Sequence, residues 1–469
     1  MKKLLLVLSV FIISTSLMAQ NQEQTQVKKK GKIYNENGEI IKQGFNIGPL
    51  PVVGFNSDLG FQYGACVDIF NYGDGSKYPD YKFKINFEVS AYTKGSRIFR
   101  SYSYWNDLIP KGVLFADFGY FIDRKFDFFG FNGYLAPYYK DMAVMKGSNP
   151  FELVVDNTGD ITSAFYSLTR KQFRAIVSMM QKIGNSKNLS YGVGLAFYNY
   201  DIGRIDMSKY DDQITLYELY CNTGLIREDE KNGGNVSQIK AGIIYNSKDL
   251  ENDPTRGIYF EGTFTVAPDF IDRKDYSHIT FTGIFQHYIP VWKDNMTLCY
   301  RLGVQNVLAG DIPYYAMLNT NFMFFKKMTT ESFGGSASGR GIKCNGVTGK
   351  GLAWLNLELR WRIARFKFIN QNWCVALNPF FDAGTVTQQF RPEEQKKAME
   401  VLESQYVITS SEDYDLFYSG KNESIHTSAG CGLKLIMNRN FVVSAEFAKA
   451  INKLDGEGVK AYIGFNYIF

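Results

Sequence analysis

The sequence predicts an all-β protein, a transmembrane antiparallel β-barrel, and three observations carry that reading. Apolar and polar residues alternate over segments of ten or more residues from one end of the chain to the other. Aromatic residues make up 16% of the 469, and 31 Tyr with 38 Phe outnumber the 47 acidic residues. That excludes a disordered chain, which is poor in aromatics. Finally, the one apolar run near spanning length is Leu4–Ile13, well short of the ~20 residues a membrane helix needs.

The chain opens with Lys2 and Lys3, the apolar run, and Ser14 to Ala19 ending in a small residue. This is the layout of a secretory signal peptide over residues 1–19, cleaved after Ala19. No Cys sits at the cleavage point, so a lipid anchor is not expected. Residues 20–57 read as a periplasmic N-terminal extension carrying Lys28-Lys29-Lys30, too short to fold alone. Removing Lys2 and Lys3 lowers the net charge from +5 to +3, which argues against a nucleic-acid partner.

Residues 58–469 are assigned to the barrel. Tyr81, Phe83, Ile85, Phe87, Val89 and Ala91 interleave with Lys82, Lys84, Asn86, Glu88 and Ser90. Leu355, Leu357, Leu359 and Trp361 interleave with Asn356, Glu358, Arg360 and Arg362. Successive strand residues point to opposite faces, so each segment has one apolar and one polar face. A soluble sandwich uses strands of ~5–6 residues, whereas a membrane barrel uses ~9–11 and turns its apolar face to lipid. Length and the Lys, Glu and Asn on the hidden face favour the barrel.

Sixteen strands are expected, starting near 59, 81, 96, 112, 127, 163, 188, 236, 258, 278, 296, 351, 373, 426, 441 and 459, with fourteen and eighteen as the neighbouring even numbers. Tight turns at Lys94-Gly95, 184–187, 292–295 and 438–440 read as periplasmic, and the long loops near 137–161, 201–235, 309–350 and 387–424 as outer. Residues 392–403 have the composition of a short surface helix.

Chemistry-bearing patterns are sparse. Cys66, Cys221, Cys299, Cys344, Cys374 and Cys431 form no C-x-x-C pair, so zinc is not expected, while free thiols or one disulfide both fit. His278, His287 and His426 stand apart from any carboxylate–nucleophile pattern. Ser336 and Ser338 lie among glycines but not in the strand–turn–helix context of a nucleophile elbow. Asp156 to Asp160 lacks the closing Glu of a calcium loop. No catalytic residue, metal or cofactor is expected.

Several segments resemble the BamA/TamA-type barrels of the bacterial surface antigen superfamily. Phe333-Gly334-Gly335-Ser336-Ala337-Ser338-Gly339-Arg340-Gly341-Ile342 resembles the tip of their long, inward-folding sixth loop, with Ile342 in place of an aromatic. Leu357-Glu358-Leu359-Arg360, Phe381-Asp382-Ala383-Gly384, the stretches 430–437 and 441–448, and Asp253 to Gly257 resemble motifs around it. Tyr462-x-Gly464-x-x-Tyr467-x-Phe469 resembles the C-terminal insertion signal of such barrels. The family's polypeptide-transport-associated periplasmic repeats have no counterpart.

The resemblance implies a lid loop in the lumen, with Arg340 and Gly341 held against Glu358 and Asp382 and the glycines 334, 335 and 339 shaping its tip. Alternation independently puts Glu358 and Asp382 on lumen faces, and a guanidinium fork suits carboxylates. It implies a bacterial outer-membrane protein that inserts or translocates other proteins. Its partners would be outer-membrane lipid and a separate periplasmic or membrane protein, or a second copy. A passive pore or surface-interaction barrel is the alternative, and an outer-membrane lipase a distant third.

Overall fold

The computed structural model describes residues 41–469 except 77–80, 107, 137, 139–143, 146–152, 155–159, 211–213, 251–252, 269–275, 293–294, 321–331, 369–370, 406–421, 438–440 and 466. The expected signal peptide and the lysine run fall outside the described residues.

Sixteen antiparallel strands close into one barrel. They are β1 (Phe45–Asn56), β2 (Gly60–Asn71), β3 (Phe83–Tyr92), β4 (Arg97–Asn106), β5 (Gly112–Asp127), β6 (Ser167–Lys182), β7 (Leu189–Gly203) and β8 (Gly233–Asn246). Then follow β9 (Gly257–Ala267), β10 (His278–Trp292), β11 (Met296–Gly310), β12 (Gly351–Phe368), β13 (Gln371–Gln388), β14 (His426–Met437), β15 (Phe441–Ala450) and β16 (Lys460–Phe465). No described helix is long and apolar enough to cross a membrane.

The wall is inverted relative to a soluble protein. On β6, Arg170, Gln172, Arg174 and Ser178 face inward and are buried, while Phe173 and Val177 on the opposite face are exposed. Lipid solvates the second set, and every strand pairs with two neighbours, as a hydrocarbon environment demands.

Two features depart from the sequence reading, and they cancel in the strand count. Residues 45–56, placed in the extension, form the first strand and pair with β2 along their whole length. The strand expected from 127 does not exist: β5 runs on to Asp127, and residues 128–136 turn inward instead. Aromatic–glycine alternation there imitates a strand, but Gly130, Asn132 and Gly133 adopt positive φ, which breaks an extended chain. The other fifteen starts agree within four residues. Adding a strand at the front also moves the Lys94-Gly95 turn to the end that carries the long loops.

Those loops build a cap over that end. Four helices, α1 (Asp160–Phe165), α2 (Leu216–Asn222), α3 (Tyr314–Thr320) and α4 (Pro392–Gln405), stand in the third, fourth, sixth and seventh connections. Thr215 and Glu218 form a capping box that starts α2. Phe128, Phe131, Tyr166, Tyr220, Tyr315 and Phe390 meet in one buried cluster with Ala398 and Leu402 of α4, so α4 is half-sunk rather than a free surface helix. Polar staples join the loops. Asn132 donates to Thr348 O (2.5 Å) and Phe390 O (3.2 Å) and accepts from Phe390 N. Arg391 pairs with Glu230 and, at 3.2 Å, with Asp311.

Candidate functional site: the lid loop and the seam

Residues 332–350 of the sixth connection fold down into the lumen. Their tip is a compact turn: Phe333 bridges Val347, Gly335 bridges Gly339, and Ser338 Oγ accepts from Gly334 N at 3.0 Å. Two glycines are obligatory. Gly334 has φ +119 and Gly341 φ +90, and a Cβ would come within 2.0 Å of Lys343 O and 2.8 Å of Lys449 N.

Arg340 stands at the end of this turn, fully buried. Its Nε and Nη2 donate to the two oxygens of Asp382 on β13, both at 2.9 Å, and its backbone N–H adds a third bond at 3.0 Å. Nη1 donates to Glu358 on β12 at 2.7 Å and to Glu446 on β15 at 2.8 Å. The guanidinium also lies 3.5 Å from the centre of the Phe380 ring. Neighbouring cations balance the carboxylates: Arg360 reaches Glu358 at 3.0 Å and Lys434 reaches Glu446 at 2.7 Å. One loop side chain therefore ties three strands together. Gly341 N–H donates to Tyr462 of β16 at 3.1 Å. Further along, Lys343 Nζ sits 3.8 Å from the Tyr138 ring centre. Burial, and then Lys460, push its ammonium down to about 8.

Where β1 meets β16 the wall is thin. Among the described residues, Phe55 with Ile463 and Asn56 with Tyr462 are in register, whereas β15 and β16 are joined along six residues, Val443 to Ala448. The outer end is pinned by Lys460 with Asp58 at 2.5 Å and Ser57 N–H to Ala461 O at 3.1 Å. Toward the other end, residues 45–54 pair with no strand across the seam among the described residues. A cleft of ≈ 260 Å³ opens beside the two pairs, lined by Phe55, Asn56, Ser336, Glu446 and Tyr462 among others. The loop tip touches it, since Asn56 Nδ2 donates to Ser336 Oγ at 3.3 Å.

The last strand was expected to run to Phe469, but it ends at Phe465. Gly464 stays on the strand, while Tyr467 turns inward against Ala376, Ile436 and Val442. Arg360 stacks 3.8 Å from the Tyr467 ring centre and donates to Phe469 O at 2.7 Å.

Glu446, Phe380 and Tyr462 escaped the sequence reading as loop partners. A lone acid inside the apolar run 441–448 was the available signal for Glu446. His426 stands apart from any carboxylate–nucleophile pattern in the sequence, and in the fold its two ring nitrogens contact two carboxylates, Asp455 at 2.6 Å and Glu423 at 2.8 Å. Those carboxylates lie twenty-nine and three residues away in sequence, on different connections. All six cysteines are free, and no group of His, Cys, Asp and Glu among the described residues could hold a metal.

The fold and this site define a sixteen-stranded outer-membrane barrel with a long loop returned to its lumen. The Omp85 superfamily domain matches residues 133–467, and the chain belongs to that superfamily, whose barrels are transporters and insertases rather than enzymes. Two solved structures share the fold. BamA from Haemophilus ducreyi lacking POTRA domains 1–3 has 15% identity and a TM-score of 0.53, over 96% of this chain and 78% of that one. CdiB from Escherichia coli has 11% identity and a TM-score of 0.52, over 90% of this chain and 62% of that one. No curated protein matches the sequence. The described residues contain no polypeptide-transport-associated repeat.

Proposed function

We propose that this barrel inserts or translocates proteins at the outer membrane, using the β1–β16 seam as the route and the loop anchored by Arg340 as its brace. The observation that carries the reading is the seam itself, two residue pairs long at one end and unpaired at the other. A client strand could add to the β1 edge at 45–54 through the backbone groups that Pro49 and Pro51 leave available, as in strand addition to an exposed edge. The brace acts by contact: the loop tip touches Asn56 of β1, Tyr462 of β16 and Glu446 of β15. Opening the seam would break the contact with Asn56, while Tyr462 and Glu446, on the β16 side, keep hold of the loop. The buried loop and the aromatic cap speak against a passive pore. Export by a cleaved signal peptide fits the same reading.

The test is a disulfide across the seam, Phe55→Cys with Ile463→Cys, in a background where the six native cysteines are Ser or Ala. Cells depending on this protein should lose its activity when the bond forms and regain it on reduction. Full activity with the seam bonded would reject the seam as the route.

A further inference from the structure

At the cap end of β4 and β5, the face turned to lipid ends in charge. On β4 the outward side chains run Trp105, Ser103, Ser101, Phe99 and then Arg97. On β5 they run Leu114, Ala116, Phe118, Tyr120, Ile122 and then Arg124. Inward neighbours fix that assignment. Arg100 meets Asp117 on the lumen face at 2.6 Å, and Asp123 holds the buried Arg170 at 2.8 Å, so residues of the other parity point outward. Phe99, Phe118 and Tyr120 are exposed, and so are Arg97 and Arg124.

The strands set the spacing of the two arginines. Arg97 is in register with Ile122, which puts Arg124 at the diagonal position, roughly 7–8 Å away. Arg124 also packs beside the Lys94-Gly95 turn, where a Cβ on Gly95 would lie 3.3 Å from Arg124 Cβ. A cation facing lipid is costly at the bilayer midplane and costs little at the interface. The pair therefore marks the level of the outer headgroups, with Phe99 and Tyr120, themselves in register, directly beneath.

What the pair lacks is an anion. Neither guanidinium has a hydrogen bond or ion pair among the described residues. The cations around them are all engaged. Arg100 and Arg174 share Asp117, and Lys94 donates to Ser57 O at 2.8 Å and Asp58 O at 3.0 Å. Lys171, opposite Ile122 on β6, is bonded to the outward Asp201 at 2.8 Å.

We propose that Arg97 and Arg124 clamp the phosphate of an outer-leaflet lipid headgroup, whose acyl chains lie on Phe99, Phe118 and Tyr120. A guanidinium fork takes phosphate oxygens two at a time, and two forks at this spacing can hold one phosphate between them. A free phosphate would gain the charge contact alone, whereas a lipid adds apolar contact with the aromatic band. Lipid is therefore the occupant. The clamp is independent of the seam and of the lid loop.

The test compares spin-labelled phosphatidic acid with spin-labelled phosphatidylcholine in the motionally restricted shell around the full chain, reconstituted in phosphatidylcholine vesicles. Phosphatidic acid should be preferred at least about five-fold, and Arg97→Gln with Arg124→Gln should lower that preference at least about three-fold. Lys182→Gln with Lys187→Gln, exposed cations at the opposite end of the barrel, should leave it unchanged. No preference in the unaltered protein would overturn the clamp. So would a preference that survives loss of both arginines, or one that disappears with the two lysines instead. Replacing chloride by inorganic phosphate at equal ionic strength should not abolish it; abolition would make the pair a site for a free anion and overturn the lipid. Heat-modifiable mobility reports folding of each variant. If the paired Gln variant does not fold, Arg97→Gln and Arg124→Gln singly decide the matter, since each should lower the preference.

Discussion

Arg340 shows why a single side chain can govern a loop of this length. Its guanidinium answers three carboxylates, Asp382 and Glu358 fully buried and Glu446 nearly so. Removing one partner of a buried ion pair costs ~3–5 kcal/mol, because the remaining charges stay desolvated. Arg340→Ala should therefore release the loop while the lipid-facing wall still forms, read as faster proteolysis within 332–350. Asp382→Ala should do much the same, and the double variant should be little worse than either single one. Additive losses would mean the two side chains act separately. Lys343 supplies a second handle. Its pKa is depressed in the docked loop, so a released loop binds more protons between about 8 and the ordinary 10.5. Docking should then strengthen as pH rises through that window. Protection of the loop should be greater at about pH 9.5 than at about pH 7, and Lys343→Met should remove the difference. Arg340, Glu358 and Asp382 were legible because they sit in a compact motif and two alternating strands. Glu446 was not, because nothing local says which of many lumen acids a distant loop will reach.

At the scale of elements, alternation located most of the wall and failed at β1 for a physical reason. The segment Phe45 to Asn56 holds Pro49, Pro51, Gly48 and Gly54, the residues least suited to a strand interior. Two prolines two positions apart remove donors from the same edge, since alternate residues point the same way. β2 is fully paired with this strand, so the edge facing the seam is the one that can do without them. Pro49→Val with Pro51→Val should restore those donors and make the edge more adhesive. Oligomers held through β1, absent from the unaltered protein, would be seen by sedimentation, and none should appear if the prolines face β2. The third connection teaches the converse. Asn132, in a left-handed turn and buried, bonds two other loops at once. Asn132→Ala strands buried partners at ~1–3 kcal/mol each, so proteases should cut the cap faster with the barrel intact.

The whole molecule is closed at one end by the cap, filled by the loop, and nearly open along one line of its wall. Unheated protein should migrate differently from boiled protein on electrophoresis, and planar bilayers should show little conductance until Arg340 is changed. Closure also has a consequence in time. Most strands pair with the next one along, across connections as short as two residues, whereas the ring is completed by Ser57 meeting Ala461, 404 residues away. Chain-closure entropy grows with the logarithm of that span, roughly 4 kcal/mol beyond a tight hairpin, and two residue pairs return little of it. Hairpins should therefore form first and the ring last. During folding, this chain is a sheet before it is a cylinder, and the bond that completes the cylinder is the one it can most readily undo.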